Sequence, residues 1–139
     1  MNAPLYTPEI LRLAASLKEP HTLEREDGRA EVRSKTCGSR VAISVTLDSK
    51  GRVLATSQVV HACAFGQASC ALLEQGALGR SREEVAAALR QLADWLGGGE
   101  VKPDWPAILA LAPARSRPSR HGAILLPFRA LLQAMDPRG

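Results

Sequence analysis

The sequence predicts an α+β fold: a three-stranded antiparallel sheet packed against four to five helices. Three observations carry that prediction. Val41, Ile43, Val45 and Leu47 alternate with Arg40, Ala42, Ser44 and Thr46, the period of a strand with one buried face. Asp48-Ser49-Lys50-Gly51 follows as a hairpin turn, with a glycine free to adopt positive φ, so residues 52–60 return as the antiparallel partner. Ser81-Arg82-Glu83-Glu84 is a capping-box pattern, and Val85, Leu89, Leu92 and Leu96 then hold one helical face up to Gly97-Gly98-Gly99.

The remaining elements fit around these. Thr7-Pro8-Glu9 reads as an N-cap, a proline at the first helical position and a first-turn acid, with Ile10, Leu11, Leu13, Ala14 and Leu17 at helical spacing until Pro20 stops the helix. Residues 21–28 are polar and end in the turn Asp27-Gly28. Ala30 and Val32 then alternate with Glu31 and Arg33 as a short edge strand. From residue 64 to about Gly76 a run rich in Ala, Gly and Ser predicts a helix that packs closely on its neighbours. Glu100 to Ser119 carries four prolines and predicts one short helical piece at Pro106–Leu111. A last helix is expected over about Arg120–Met135, kinked or restarted at Pro127, which lacks an amide donor.

With 139 residues, 45% hydrophobic and 23% charged, the chain is expected to form a single domain over 1–139. No apolar run approaches the roughly 20 residues that span a bilayer. The start Met1-Asn2-Ala3-Pro4 lacks a signal pattern, so a cytoplasmic location and no membrane partner are expected. The net charge of +4 is modest, and none of the five aromatic residues interleaves with an arginine cluster. Nucleic acid is therefore not an expected partner. Three cysteines without a disulfide spacing point to free thiols or metal ligands.

The stretch with the most chemistry is Val59-Val60-His61-Ala62-Cys63-Ala64-Phe65-Gly66, where a β-branched strand pattern runs into the small-residue helix. A thiol at that junction sits by the unpaired first-turn amides of a helix, which favour thiolate. Cys37, in Thr36-Cys37-Gly38-Ser39, stands just before the central strand and is the candidate partner. Cys70 lies seven residues beyond Cys63, roughly 10 Å along a helix, and reads as a small buried hydrophobe.

Taken together, these residues resemble the U-type iron–sulfur cluster assembly scaffolds, the NifU N-terminal, IscU-like and SufU-like proteins. The similarity runs through Leu5-Tyr6 with Glu9-Ile10-Leu11, Cys37-Gly38, the hairpin Val41–Gly51, Cys63-Ala64 followed by Ala68-Ser69, and Arg115, Pro118, Arg120 and Ala130-Leu131, in spacing closest to the SufU-like branch. The resemblance implies a U-type scaffold fold and a non-enzymatic role. It also implies an iron–sulfur cluster, iron or zinc held by three cysteines and an aspartate, with a cysteine desulfurase and client proteins as partners. Cys37 and Cys63 match the first two family cysteines, whereas Ser39 stands for the aspartate and Ala123 for the third cysteine.

Closed thiolate sites take about four ligands, so Cys37 and Cys63 make half of one. His121, two residues before Ala123, is the candidate substitute ligand, or else a surface histidine of a basic loop. His61 shares the Cys63 strand face and ranks behind His121 as a candidate ligand. Arg115, Arg117 and Arg120 are either solvated charge or contacts for an acidic partner. Three readings stay open: a scaffold holding a cluster, iron or sulfur transiently at Cys37 and Cys63; a metal-free scaffold paralogue that binds or regulates a desulfurase or client; and a persulfide acceptor at Cys63. The oligomeric state is open.

Overall fold

The computed structural model describes residues 6–35 and 38–136. Its order is α1 (Pro8–Ser16), β1 (Gly28–Arg33), β2 (Arg40–Leu47), β3 (Val53–His61), α2 (Ala64–Gly76), α3 (Arg82–Leu96), a 3₁₀ segment (Ile108–Ser116) and α4 (Pro118–Ala134). The strands form one antiparallel meander in the order β1-β2-β3. Ala30 stands opposite Ile43 and Val32 opposite Val41, while Val41 pairs with Val60 and Ile43 with Gln58. Val41, Ile43 and Val45 are fully buried, so the expected apolar face is the one turned to the helices.

Local chemistry closes each element. The Thr7 hydroxyl accepts the Ile10 amide at 3.1 Å to start α1, which ends at Ser16, four residues short of Pro20. In the hairpin, the Asp48 carboxylate accepts the amides of Lys50 at 2.8 Å and Arg52 at 2.9 Å, and Gly51 takes φ +77°. The Arg52 amide, with Lys50 behind it, holds the Asp48 carboxyl below its ordinary pKa. The register slips between Thr46 and Leu47, which leaves Leu54 exposed. The capping box of α3 is formed in both directions, Ser81 Oγ accepting from the Glu84 amide at 3.2 Å and Glu84 Oε1 from the Ser81 amide at 3.1 Å.

Two segments differ from expectation. The proline-rich stretch builds a longer 3₁₀ segment at Ile108–Ser116 in place of a short helix at 106–111, entered through Ala107 at φ +61°. The last helix begins at Pro118, whose missing amide costs nothing at a first helical position, and it runs through Pro127 as one element. Pro127 cannot donate to the Ala123 carbonyl four residues back, and its ring crowds that turn. There the Ser69 hydroxyl of α2 donates to the next carbonyl, Ile124 O, at 2.6 Å in a buried contact.

Helices α2 and α4 lie on the inner face of the sheet and form the centre of the core. Phe65, Leu72, Leu73, Ile124, Leu126, Phe128 and Leu131 are all at most 1% exposed. A Cβ at Gly76 would fall 2.5 Å from the Trp105 indole nitrogen, so glycine is what lets Trp105 lie across α2. That indole donates to Leu72 O at 2.8 Å, meets Phe128 edge-on at 5.0 Å and is covered by the Arg80 guanidinium at 4.1 Å.

Candidate functional site

Cys63 occupies the N-cap of α2 in an extended conformation, and its side chain makes no capping hydrogen bond. Its thiol is therefore not spent on the helix it opens. The backbone around it is held from both sides: Cys63 O accepts the Gln67 amide at 2.9 Å, and Gln67 Nε2 donates to Ala62 O at 3.0 Å. The residue is half-buried, at the join where β3 ends at His61 and α2 begins at Ala64.

Why the chain folds so tightly here is legible in the small residues. A Cβ at Gly66 would come to 2.7 Å from the Ala62 Cβ and 3.3 Å from the Ala123 Cβ. The first turn of α2 thus lies directly against the turn before Cys63 on one side and α4 on the other. Ala123 is 1% exposed, and its methyl packs on this turn. The position that the resemblance pairs with a third cysteine, Ala123, lies beside the start of α2, and it carries a methyl that can donate nothing to a metal.

The other candidates separate. Cys70 is fully buried; burial first, and then the Glu74 carboxylate, push its thiol far above the ordinary range. Its carbonyl accepts Gln58 Nε2 at 3.1 Å, and the same amide reaches Glu74 Oε1 at 3.3 Å. This network ties β3 to α2 and leaves Cys70 a core residue. His121 is half-buried, with Nε2 2.8 Å from Ala114 O. A carbonyl only accepts, so Nε2 carries the proton in the neutral ring and Nδ1 is the nitrogen left with a lone pair. Such a backbone contact also orients metal-binding histidines. His61 is exposed at the end of β3, opposite Arg40. Ser39 is buried, and its carbonyl accepts the Ser34 amide at 2.8 Å.

Cys37 lies outside the described residues. Among the described residues, no three of the His, Cys, Asp and Glu side chains stand close enough to hold a metal ion together. No described helix is long and apolar enough to cross a membrane.

One basic residue has an internal task that the sequence did not reveal. Arg115 donates through Nε to Trp95 O at 2.9 Å and through Nη2 to Gly99 O at 2.7 Å, with its guanidinium 5.0 Å from the Trp95 ring. It satisfies carbonyls at the C-terminal end of α3, where a cation also complements the helix dipole. Arg115, half-buried, thus spends its Nε and Nη2 donors inside the chain.

No protein-family model matches the chain, and no curated protein matches it in sequence. Solved structures do. The chain is 28% identical to a nitrogen-fixing NifU-like protein (N-terminal) from Brucella abortus, with a TM-score of 0.85 over 96% of this chain and 93% of that one. A protein of Fervidobacterium islandicum AW-1, described as an iron–sulfur cluster assembly scaffold for the SUF system, superposes with a TM-score of 0.84 at 20% identity, covering 95% of this chain and 97% of that one. A hypothetical protein shares the fold at a TM-score of 0.70 and 22% identity, over 91% and 96% of the two chains.

Proposed function

Because the chain is a member of the U-type iron–sulfur scaffold family, we propose that it serves iron–sulfur cluster assembly in the cytoplasm, holding a cluster, iron or sulfur transiently at Cys63 and Cys37. It does so as a carrier rather than an enzyme, supplied by a cysteine desulfurase and emptied by client proteins. The observation that carries this reading is the Cys63 thiol itself: half-buried, placed by two backbone braces at a helix N-terminus, and free of any capping bond.

The donor set favours sulfur as the cargo that Cys63 can take with least help. A cluster or zinc ion draws on about four ligands, and Ala123 withdraws one wall of that cage. Transfer of sulfur needs one thiolate. The Cys63 thiolate attacks the outer sulfur of a donor persulfide; the donor's S–S bond breaks, a new S–S bond forms on Cys63, and the donor leaves as thiolate, with no net oxidation. Iron or a nascent cluster would then draw on Cys37 and on the free Nδ1 of His121.

A second reading is favoured by the methyl of Ala123 alone: a metal-free paralogue that docks on a desulfurase or client. Anaerobic incubation with iron, sulfide and a desulfurase separates the two. Loading seen by absorption and metal analysis, and lost in Cys63→Ser and Cys37→Ser, supports the carrier. No thiol-dependent iron or sulfur on the intact protein, with partner capture retained by the double cysteine variant, supports the metal-free module and overturns the carrier.

A further inference from the structure

At the Cys63 end, the sheet finishes on a row of basic residues. Arg33 closes β1, Arg40 opens β2 and His61 closes β3; Arg33 stands opposite Arg40, and Arg40 opposite His61. Their neighbours Val32, Val41 and Val60 belong to the helix-facing side, so alternation turns all three basic side chains to the outer face. Arg33 and His61 are exposed and Arg40 is half-buried.

Among the described residues the two arginines of the row have one carboxylate, that of Glu31, within ion-pair reach, while Glu19 lies in the hollow beside His61 and Val59. Arg33 Nη2 and Arg40 Nε each lie 3.7 Å from the same atom, Glu31 Oε1. Two guanidiniums, each with five N–H donors, thus share one carboxylate oxygen at the outer limit of ion-pair contact. Exposed Lys35 adds a further cation just after β1. In the next row inward, Val59 is 46% exposed on the same face. Two residues beyond His61 the chain reaches Cys63.

The chemistry that fits is a segment bearing carboxylates, with an apolar contact beside them. Strands lie about 4.8 Å apart, so the row spans roughly 10 Å across three strands, the reach of a few acidic side chains. Nucleic acid fits poorly, because the aromatic rings that would stack on bases are engaged or buried: Phe65, Trp95, Trp105 and Phe128 are at most 4% exposed, and Tyr6 lies 5.3 Å from Phe65.

We propose that the Arg33–Arg40–His61 row, with Val59 beside it, is the docking surface for an acidic segment of the sulfur-donating desulfurase, which crosses the strand ends and so delivers its sulfur at Cys63. This rests on the carrier reading above. The test measures binding of a purified cysteine desulfurase from the source organism to the intact chain, to Arg33→Glu/Arg40→Glu, and to the control Arg90→Glu on the exposed side of α3, at low and high salt, with circular dichroism to confirm folding. Expected is a loss of about tenfold or more in affinity for the double reversal at low salt, shrinking at high salt, with the control unchanged. Equal affinity for all three proteins overturns the docking row and leaves the partnership standing. An equal loss in the control reduces the effect to overall charge and also overturns the row. No binding by the intact chain overturns the partnership and the row together.

Discussion

The packing that fixes Cys63 is open to a direct test at Gly66. A Gly66→Ala methyl would lie 2.7 Å from the Ala62 Cβ and 3.3 Å from the Ala123 Cβ, well inside the ~3.5–4.0 Å of comfortable carbon contact. Neither neighbour is the tip of a flexible side chain, so the turn before Cys63 or helix α4 must move. Over-packing of this kind costs about 1–3 kcal/mol. Alanine recovers up to about 1 kcal/mol over glycine inside a helix. With that offset in full, the net expectation is a loss of up to about 2 kcal/mol, read as up to several degrees in Tm for a chain of this length. Removing the nearer obstacle should return most of it: Ala62→Gly/Gly66→Ala should melt above the value that adding the two single effects gives, with a coupling of about 1 kcal/mol. Thermal melts of the four proteins close the cycle. A Gly66→Ala variant more stable than the parent, or strictly additive effects, would refute the close approach of Ala62, Gly66 and Ala123.

Ala123→Cys should supply the missing third thiol. If four ligands in structural zinc sites together give about 10–16 kcal/mol, one thiolate is worth roughly 3, and the packing cost of about 1–3 kcal/mol leaves a gain of up to about 2 kcal/mol, or about thirtyfold in zinc affinity by chelator competition. That gain should vanish when Cys63→Ser is added; an affinity that does not change would place position 123 away from the thiol. In the folded protein, an alkylating reagent should label Cys63 and spare Cys70, whose burial both hides the sulfur and disfavours its thiolate; peptide mass mapping checks this, and equal labelling would contradict the buried network. The Glu84 carboxyl is held below its ordinary value of 4.5, first by the Ser81 amide and then by Arg52. Its contribution is therefore complete above that value and is lost as pH falls through the lower folded value. The Tm gap between the parent and Glu84→Gln should be present at neutral pH and close in strong acid, and a gap independent of pH would count against the capping box as its source.

The sequence showed most where a local rule decides the outcome. The alternation of β2 and the capping box of α3 appear as expected, because a two-residue period and a reciprocal Ser–Glu bond are written within a few positions. The small residues of α2 announced close packing, and Gly66 and Gly76 do admit Ala123 and Trp105. What the sequence could not show depends on distant partners. Arg115 looks like any surface arginine until the Trp95 carbonyl in the last turn of α3, 20 residues earlier in sequence, is seen beside it in space. The Ser69 bond to Ile124, across 55 residues, lies at the proline turn of α4. Ala110, Leu111 and Ala114 fill the core as a 3₁₀ segment, and apolar periodicity over so few residues does not distinguish its pitch from an α-helix. At the site, the Cys63 junction was legible as a strand running into a helix, while the hydrogen bond of His121 to Ala114 was not. Cys37 stands outside the described residues.

The most direct test of the account is the mass of Cys63. After incubation with a cysteine desulfurase and free cysteine, followed by thiol trapping and peptide mass spectrometry, the Cys63 peptide should carry one added sulfur atom while the Cys70 site stays unmodified, and Cys63→Ser should abolish the transfer. An unmodified Cys63 in a reaction whose desulfurase is turning over would contradict its role as the sulfur-receiving thiol.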